Sequence, residues 1–289
     1  MSMKKSRKTN DMSTERTSIG RILVALDASK QSQAALEAAA AMAERMQAEV
    51  EGLFIEDIDL LHLAELPFTN EIGFTSRSRR LLDSNIMTRA LRARASLARK
   101  SFEDIARKHK LVSSFRVARG KVLAELLAAT EQVDLIAVGT TGHKIGRGDK
   151  PGTTYAGVVE SCRCSVLLLQ EHITPGRSVI TVFDGSDASA RSLERAQSLA
   201  TAQGESMVAL LFGEKNEAEK LKQQVTDLVD DPANVTFVSL SESQLDELPA
   251  VLEQRQCGFL LLPRAISQND ARLNVERLSQ LRCPVMLVS

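Results

Sequence analysis

The clearest chemistry in this sequence lies in one spaced set: Gly139-Thr140-Thr141-Gly142, then nine residues, then Gly152-Thr153-Thr154. Glycine lets a backbone turn tightly and approach an anion with no Cβ in the way. A helix opening at Gly152-Thr153 offers unpaired N–H groups and the positive end of its dipole to a phosphate. The Thr153 and Thr154 hydroxyls add donors. His143, beside Gly142, is suited to general-base or phosphotransfer work. Alone in a loop, it is read as a neighbour of the ligand, and no catalytic residue is assigned. Lys144, Arg147 and Lys150 are read as solvated. The chain contains no G-x-x-x-x-G-K-[ST]. Asp27-Ala28-Ser29-Lys30 stands where a G-x-G-x-x-G would follow the first strand. P-loop and dinucleotide fingerprints are therefore both missing.

Such a cradle works only beyond the carboxyl ends of strands in an open α/β sheet, and the sequence supplies the alternation. Short apolar runs suited to strands buried on both faces occur at 22–26 and 133–138, and further strands are read at 50–55, 114–118 and 165–169. Helical patterns fill 31–47, 84–110, 122–130 and 153–161. Residues 57–80, with Pro67, Gly73 and basic residues, read as a loop or lid-like insertion. The alternation specifies a doubly wound parallel α/β fold. Residues 171–177 read as a linker, after which the pattern restarts. Val179–Phe183 ends at Asp184-Gly185-Ser186, as the first strand ends at Asp27-Ala28-Ser29. Arg163-Cys164-Ser165-Val166 is echoed by Arg282-Cys283-Pro284-Val285. The offset shrinks from 157 positions at the aspartates to 119 at these cysteines. The chain is a tandem duplication whose second copy has lost 38 residues, most of them opposite 57–85. The expected division is a tail at 1–19, a first domain at 20–170, the linker, and a second domain at 178–289.

The 289 residues are 43% hydrophobic and 26% charged, which fits two globular domains. Net charge is zero, but 1–172 carry a surplus of five positive charges and 173–289 a surplus of five negative. With nine Phe, one Tyr and no Trp, the chain has few platforms for stacking bases; nucleic acid is not expected as a partner. No apolar stretch reaches membrane-spanning length and no secretory h-region is present, so a cytoplasmic location without membrane contact is expected. Cys162, Cys164, Cys257 and Cys283 are too few for a disulfide framework and read as small buried hydrophobes, with no metal site.

Together these motifs resemble the universal stress proteins in their tandem-domain form. Gly139, Gly142, Gly152 and Thr153 match the family's nucleotide motif, G-x-x-G, nine residues, G-[ST]. VALDASKQSQAALEAA resembles its first strand, Asp-x-Ser turn and Ala-rich helix, and CRCSVLLL its closing strand. The resemblance implies two Rossmann-like domains, each a five-stranded parallel sheet in order 3-2-1-4-5 with flanking helices. They would form an intramolecular pseudo-dimer whose candidate edges are 165–169 and 284–288. It implies ATP, with or without Mg, beside Asp27, Ala28 and Ser29, with the backbone near Ile55 contacting adenine. The phosphates would lie against Gly139, Thr140, Gly142, Gly152, Thr153 and Thr154. The role implied is a nucleotide-dependent, non-enzymatic stress-response regulator with an unidentified protein partner, and a homodimer is compatible with it.

The segment 143–151 departs from the family's leucine-rich stretch. The second copy reads Leu262-Pro263-Arg264-Ala265 where the glycine pair should stand. Pro263 removes a donor there, so nucleotide is expected in the first domain alone. Slow ATP hydrolysis, with His143 as base, and a pure interaction module are the competing readings. The latter draws on Arg77, Arg79, Arg80, Arg89, Arg92, Arg94, Arg99 and Lys100. Arg89, Arg92 and Arg99 would share one helix face, and Ile86, Ala90 and Leu97 another.

Overall fold

The structure, a computed structural model, describes residues 19–65, 70–72, 79–81, 84–139, 153–170, 176–214, 216–269 and 273–289. In the first half, β1 (Arg21–Leu26) leads to α1 (Lys30–Met46) and β2 (Glu49–Asp57). After α2 (Ile58–Glu65) come the short strands β3 (Asn70–Ile72) and β4 (Arg79–Leu81), and the long α3 (Ser84–Lys108). Then follow β5 (Ser113–Gly120), α4 (Val122–Thr130), β6 (Leu135–Gly139), α5 (Thr153–Ser161) and β7 (Ser165–Leu169). The second half runs β8 (Ser178–Phe183), α6 (Asp187–Gln203), β9 (Ser206–Phe212), α7 (Ala218–Leu228) and β10 (Val235–Leu240). It closes with α8 (Leu248–Gln254), β11 (Cys257–Pro263), α9 (Arg264–Asn269), α10 (Val275–Leu278) and β12 (Val285–Val288).

Ten strands make one sheet, in the order β10-β9-β8-β11-β12-β7-β6-β1-β2-β5. Each half is a five-stranded parallel sheet in the expected order 3-2-1-4-5. The halves meet at β12 and β7, which pair antiparallel: Val285 with Leu168, Met286 with Leu167, Leu287 with Val166. The physical cause is visible in the two strands. Every residue of SVLLL and VMLV is buried, and such strands cannot be left as open edges. Equivalent edges of two copies meet face to face only through a two-fold, which makes their pairing antiparallel.

Strand alternation divides the core between the two faces. Ile22, Val24 and Leu26 of β1 point to the face covered by α1, α3, α6 and α7. Leu23 points to the face covered by α4, α5 and α8. Each face's core draws residues from both halves.

Four expectations change. Residues 57–80 are not all loop: Ile58–Glu65 is a helix burying Leu61 and Ala64, and β3 pairs antiparallel with β4. The side of α3 bearing Ile86 and Leu97 is not a packed face; those residues are 63% and 62% exposed. The helix buries Leu91, Ala95, Ala98, Phe102 and Ala106 instead. The shortening of the second copy falls partly on this helix, since α3 has 25 residues and its counterpart α7 has 11. Ile19, assigned to the tail, is buried in the core.

Candidate functional site

Two features of the sheet open the carboxyl ends of the first half, the first of them shared with the second half, where β8 and β11 pair only as far as Thr181 and Leu261. The pairing of β1 with β6 covers Ile22–Val24 only, although the strands run on to Leu26 and Gly139. They part there, at the point where the strand order reverses, which is the place ligands enter open α/β sheets. On its other side β1 pairs with β2 as far as Leu26 and Phe54, while β2 continues with β5 to Asp57. Residues from Ile55 onward therefore form a shelf of β2 backbone projecting past β1. In the second half the same shelf is one residue, Phe212.

The turn after β1 is tightly built. The Asp27 carboxylate accepts the Ser29 N–H through Oδ1 at 2.9 Å. The Ser29 hydroxyl caps α1 by accepting the Ser32 N–H at 3.0 Å. Between them Ala28 is held at φ 62°, left-handed backbone that a residue with a Cβ adopts at a cost. The second half repeats the turn. Asp184 accepts the Ser186 N–H at 3.0 Å and its hydroxyl at 2.6 Å, Ser186 caps α6, and Gly185 stands at φ 82°. Asp184 thus closes its turn through Oδ1, as Asp27 does.

Asp27, Ala28 and Ser29 lie at the end of β1, Ile55 on the shelf, and Gly139 at the last position of β6. Thr153 and Thr154 open α5, nine residues long. These positions gather at the carboxyl ends of three adjacent strands. Thr140, Gly142, His143 and Gly152 lie outside the described residues. Tyr155 points into the core, 3% exposed, and burial pushes its hydroxyl above the usual range. Asp57 was not foreseen: it ends the shelf and accepts the Asp59 N–H at 2.9 Å, starting α2. Its signal was Asp57-Ile58-Asp59, another aspartate closing a strand.

Helix α9 begins at Arg264, directly off β11, where the first half has residues 140–152. The Arg264 side chain folds into the seam between the halves and donates to the carbonyls of Cys162 and Cys164. Sequence reasoning missed this role, because a buried arginine is recognisable only beside its acceptors.

Among the described residues, no group of three His, Cys, Asp or Glu is arranged to hold a metal ion. No helix among them is long and apolar enough to cross a membrane. The cavity bounded by Met42, Arg45, Leu169, Glu205 and Phe259 contains none of the candidate residues.

The sequence model of the Universal stress protein family matches residues 18–170. No curated protein matches the chain. Among solved structures, a universal stress protein from Archaeoglobus fulgidus DSM 4304 superposes with a TM-score of 0.69 at 13% identity. That match covers 94% of this chain and 97% of the other. A protein of unknown function from Pseudomonas aeruginosa PAO1 superposes with a TM-score of 0.57 at 13% identity, covering 96% and 94%. At such identities the likeness is one of fold, and it extends across both halves.

Proposed function

The chain belongs to the universal stress protein family, and from that premise we propose that its first half binds an adenine nucleotide as a stress-response regulator. The observation that carries this reading is the pair of openings around β1. The parting of β1 from β6 makes a crevice, and the β2 shelf presents backbone from Ile55 onward, able to pair with a base edge. The first turn of α5 faces the same end of the sheet with N–H groups that an anion satisfies. Gly139 brings the chain to that point without a side chain.

The described residues fit ATP in kind: backbone for the base, Asp27 and Ser29 beside the ribose, and a helix amino end for phosphate. Asp27, together with phosphate oxygens, would hold Mg. When bound, the nucleotide supplies the state that a partner reads. The chain's own residues bind and orient it, and no catalytic step is assigned. The second half is its structural counterpart, with α9 occupying the place of a cradle.

Calorimetry with ATP on the wild type and on Gly142→Val tests this. Saturable binding is expected, weakened at least about tenfold (1.4 kcal/mol) in the variant. Equal binding in both proteins, or none in either, overturns the assignment. The absence of binding would favour the interaction-module reading, whose support is the exposed side of α3 with Ile86 and Leu97.

A further inference from the structure

All four cysteines are free thiols, and they are not scattered. The Sγ atoms of Cys162 and Cys164 lie 3.0 Å apart, and those of Cys257 and Cys283 lie 3.2 Å apart. Cys164 and Cys283 are equivalent in the duplication, each just before the seam strand of its half. Their partners are not equivalent: Cys162 follows α5, whereas Cys257 opens β11. Packing as small hydrophobes accounts for burial, but not for each thiol standing against another.

The two pairs have different surroundings. Cys162 and Cys164 occupy the turn between α5 and β7. Cys162 is buried, and Cys164 is partly open. The guanidinium of Arg264, itself about nine-tenths buried, spans this turn, one nitrogen on the Cys162 carbonyl and one on the Cys164 carbonyl. Its Nε is buried without a hydrogen-bond partner among the described residues. Buried guanidinium is costly unless negative charge lies near, and a thiolate at this turn supplies it. Around the second pair the backbone is closed. The Gly176 backbone crosses so near Cys257 that a Cβ on Gly176 would meet the Cys257 carbonyl carbon at 2.3 Å. Both of those thiols are buried.

We propose that Cys162 and Cys164 form an oxidisable dithiol, with a hydroperoxide as the oxidant, and that its closure to a disulfide weakens the grip of Arg264 across the seam. The Cys162 thiolate attacks the peroxide, the O–O bond breaks, and the leaving oxygen departs protonated as alcohol or water. Cys162 is then a sulfenic acid. Cys164 gives up its proton and attacks the Cys162 sulfur, the S–O bond breaks, and hydroxide leaves as water. The balance is two thiols and one hydroperoxide to one disulfide, one alcohol and one water, with sulfur oxidised and peroxide oxygen reduced. Supporting this order, the hydrogen bond from Cys164 holds the Cys162 thiol down at about 6. The Thr130 hydroxyl and the Arg264 charge add to that effect, against the opposing effect of burial. Cys164 is correspondingly pushed up, as is Cys257, by donating its own proton to its partner's sulfur and by burial. A disulfide across Arg163 reorients the two carbonyls that share Arg264, leaving a buried cation short of acceptors.

The test is graded hydrogen peroxide on the full chain, followed by denaturation, alkylation with iodoacetamide and intact mass measurement. The wild type should fall from four alkylated thiols to two, with peptide mapping linking Cys162 to Cys164. Its thermal midpoint should fall relative to the reduced protein. Cys164→Ser should retain a dimedone-reactive sulfenic acid at Cys162. Cys162→Ser should lose its remaining thiol at position 164 at least about tenfold more slowly than the wild type loses its pair. Four alkylated thiols at every dose, parallel loss of the Cys257–Cys283 pair, or a midpoint unchanged by oxidation would each overturn the proposal. This outcome is independent of nucleotide binding.

Discussion

At the scale of single residues, the duplication offers a controlled comparison in the turn that ends each half's first strand. Asp27 and Asp184 close the same ring of hydrogen bonds, and both turns need a left-handed residue between Asp and Ser. One copy uses Ala28 and the other Gly185. A Cβ in left-handed backbone costs roughly 1–2 kcal/mol, partly offset by the lower entropy of the unfolded alanine chain. At Gly185 there is a further cost, since a Cβ would meet Leu221 at 3.1 Å and Gln224 at 3.2 Å. Gly185→Ala should therefore lower stability by about 1–2 kcal/mol, whereas Ala28→Gly should leave it within about 0.5 kcal/mol. Urea unfolding of the two variants decides the matter; equal losses would remove strain at Ala28 from the account. The Asp-x-Ser pattern is legible in the sequence because the side chains that make the turn are its signature. The left-handed middle residue is not, since alanine carries no mark of positive φ.

At the scale of elements, legibility follows the strength of the local pattern. The bounds of α5 and β7 can be read to the residue, because a helix start with threonines and an unbroken apolar run are strong local signals. Helix α2 is eight residues beside Pro67, and β3 and β4 have three residues each, too short for any period to declare itself. The buried stripe of α3 is mostly alanine, so the large apolar residues on its exposed side misdirect the reading. The lower end of α3 shows what the sequence cannot show at all. Lys108 bonds to Glu37 of α1, and His109 lies 2.6 Å from Glu44 and 3.4 Å from Glu37. The Lys108 hydrogen bond, joined by His109 and opposed by burial, holds the Glu37 carboxyl below its ordinary 4.5. A carboxyl depressed by folding stabilises above its unfolded value and loses that contribution as pH falls through the folded value. Glu37→Gln should therefore destabilise the chain at pH 7. The difference from wild type should shrink as pH falls below 4.5, measured as urea midpoints. A pH-independent difference would assign Glu37 to packing alone.

At the scale of the whole molecule, zero net charge conceals a polarised chain. Yet three of the five surplus positive charges of the first 172 residues come from residues 1–18. The charge of a whole half therefore does not by itself mark an anion site. What unites the halves is the seam. Beyond the β7–β12 ladder, Arg195 bonds the Ser165 hydroxyl, the Ser165 and Ser289 hydroxyls lie 3.5 Å apart, and Gln170 donates to the Leu278 carbonyl at 3.1 Å. Arg264 adds its two carbonyls. The first half by itself would expose β7, whose every side chain is buried in the full chain. An apolar strand with free N–H and C=O groups recruits another strand, and the geometry already present favours an antiparallel, two-fold pairing. A fragment ending at residue 175 should therefore run as a dimer paired through β7, or precipitate, in size-exclusion chromatography. Placing lysine at Leu167 should unfold the fragment rather than yield a folded monomer, because Leu167 is buried in the first half's own core and an unpaired charge there costs several kcal/mol. A fragment that is folded and monomeric without that change would show that the seam contributes little, and that each half holds its own edge.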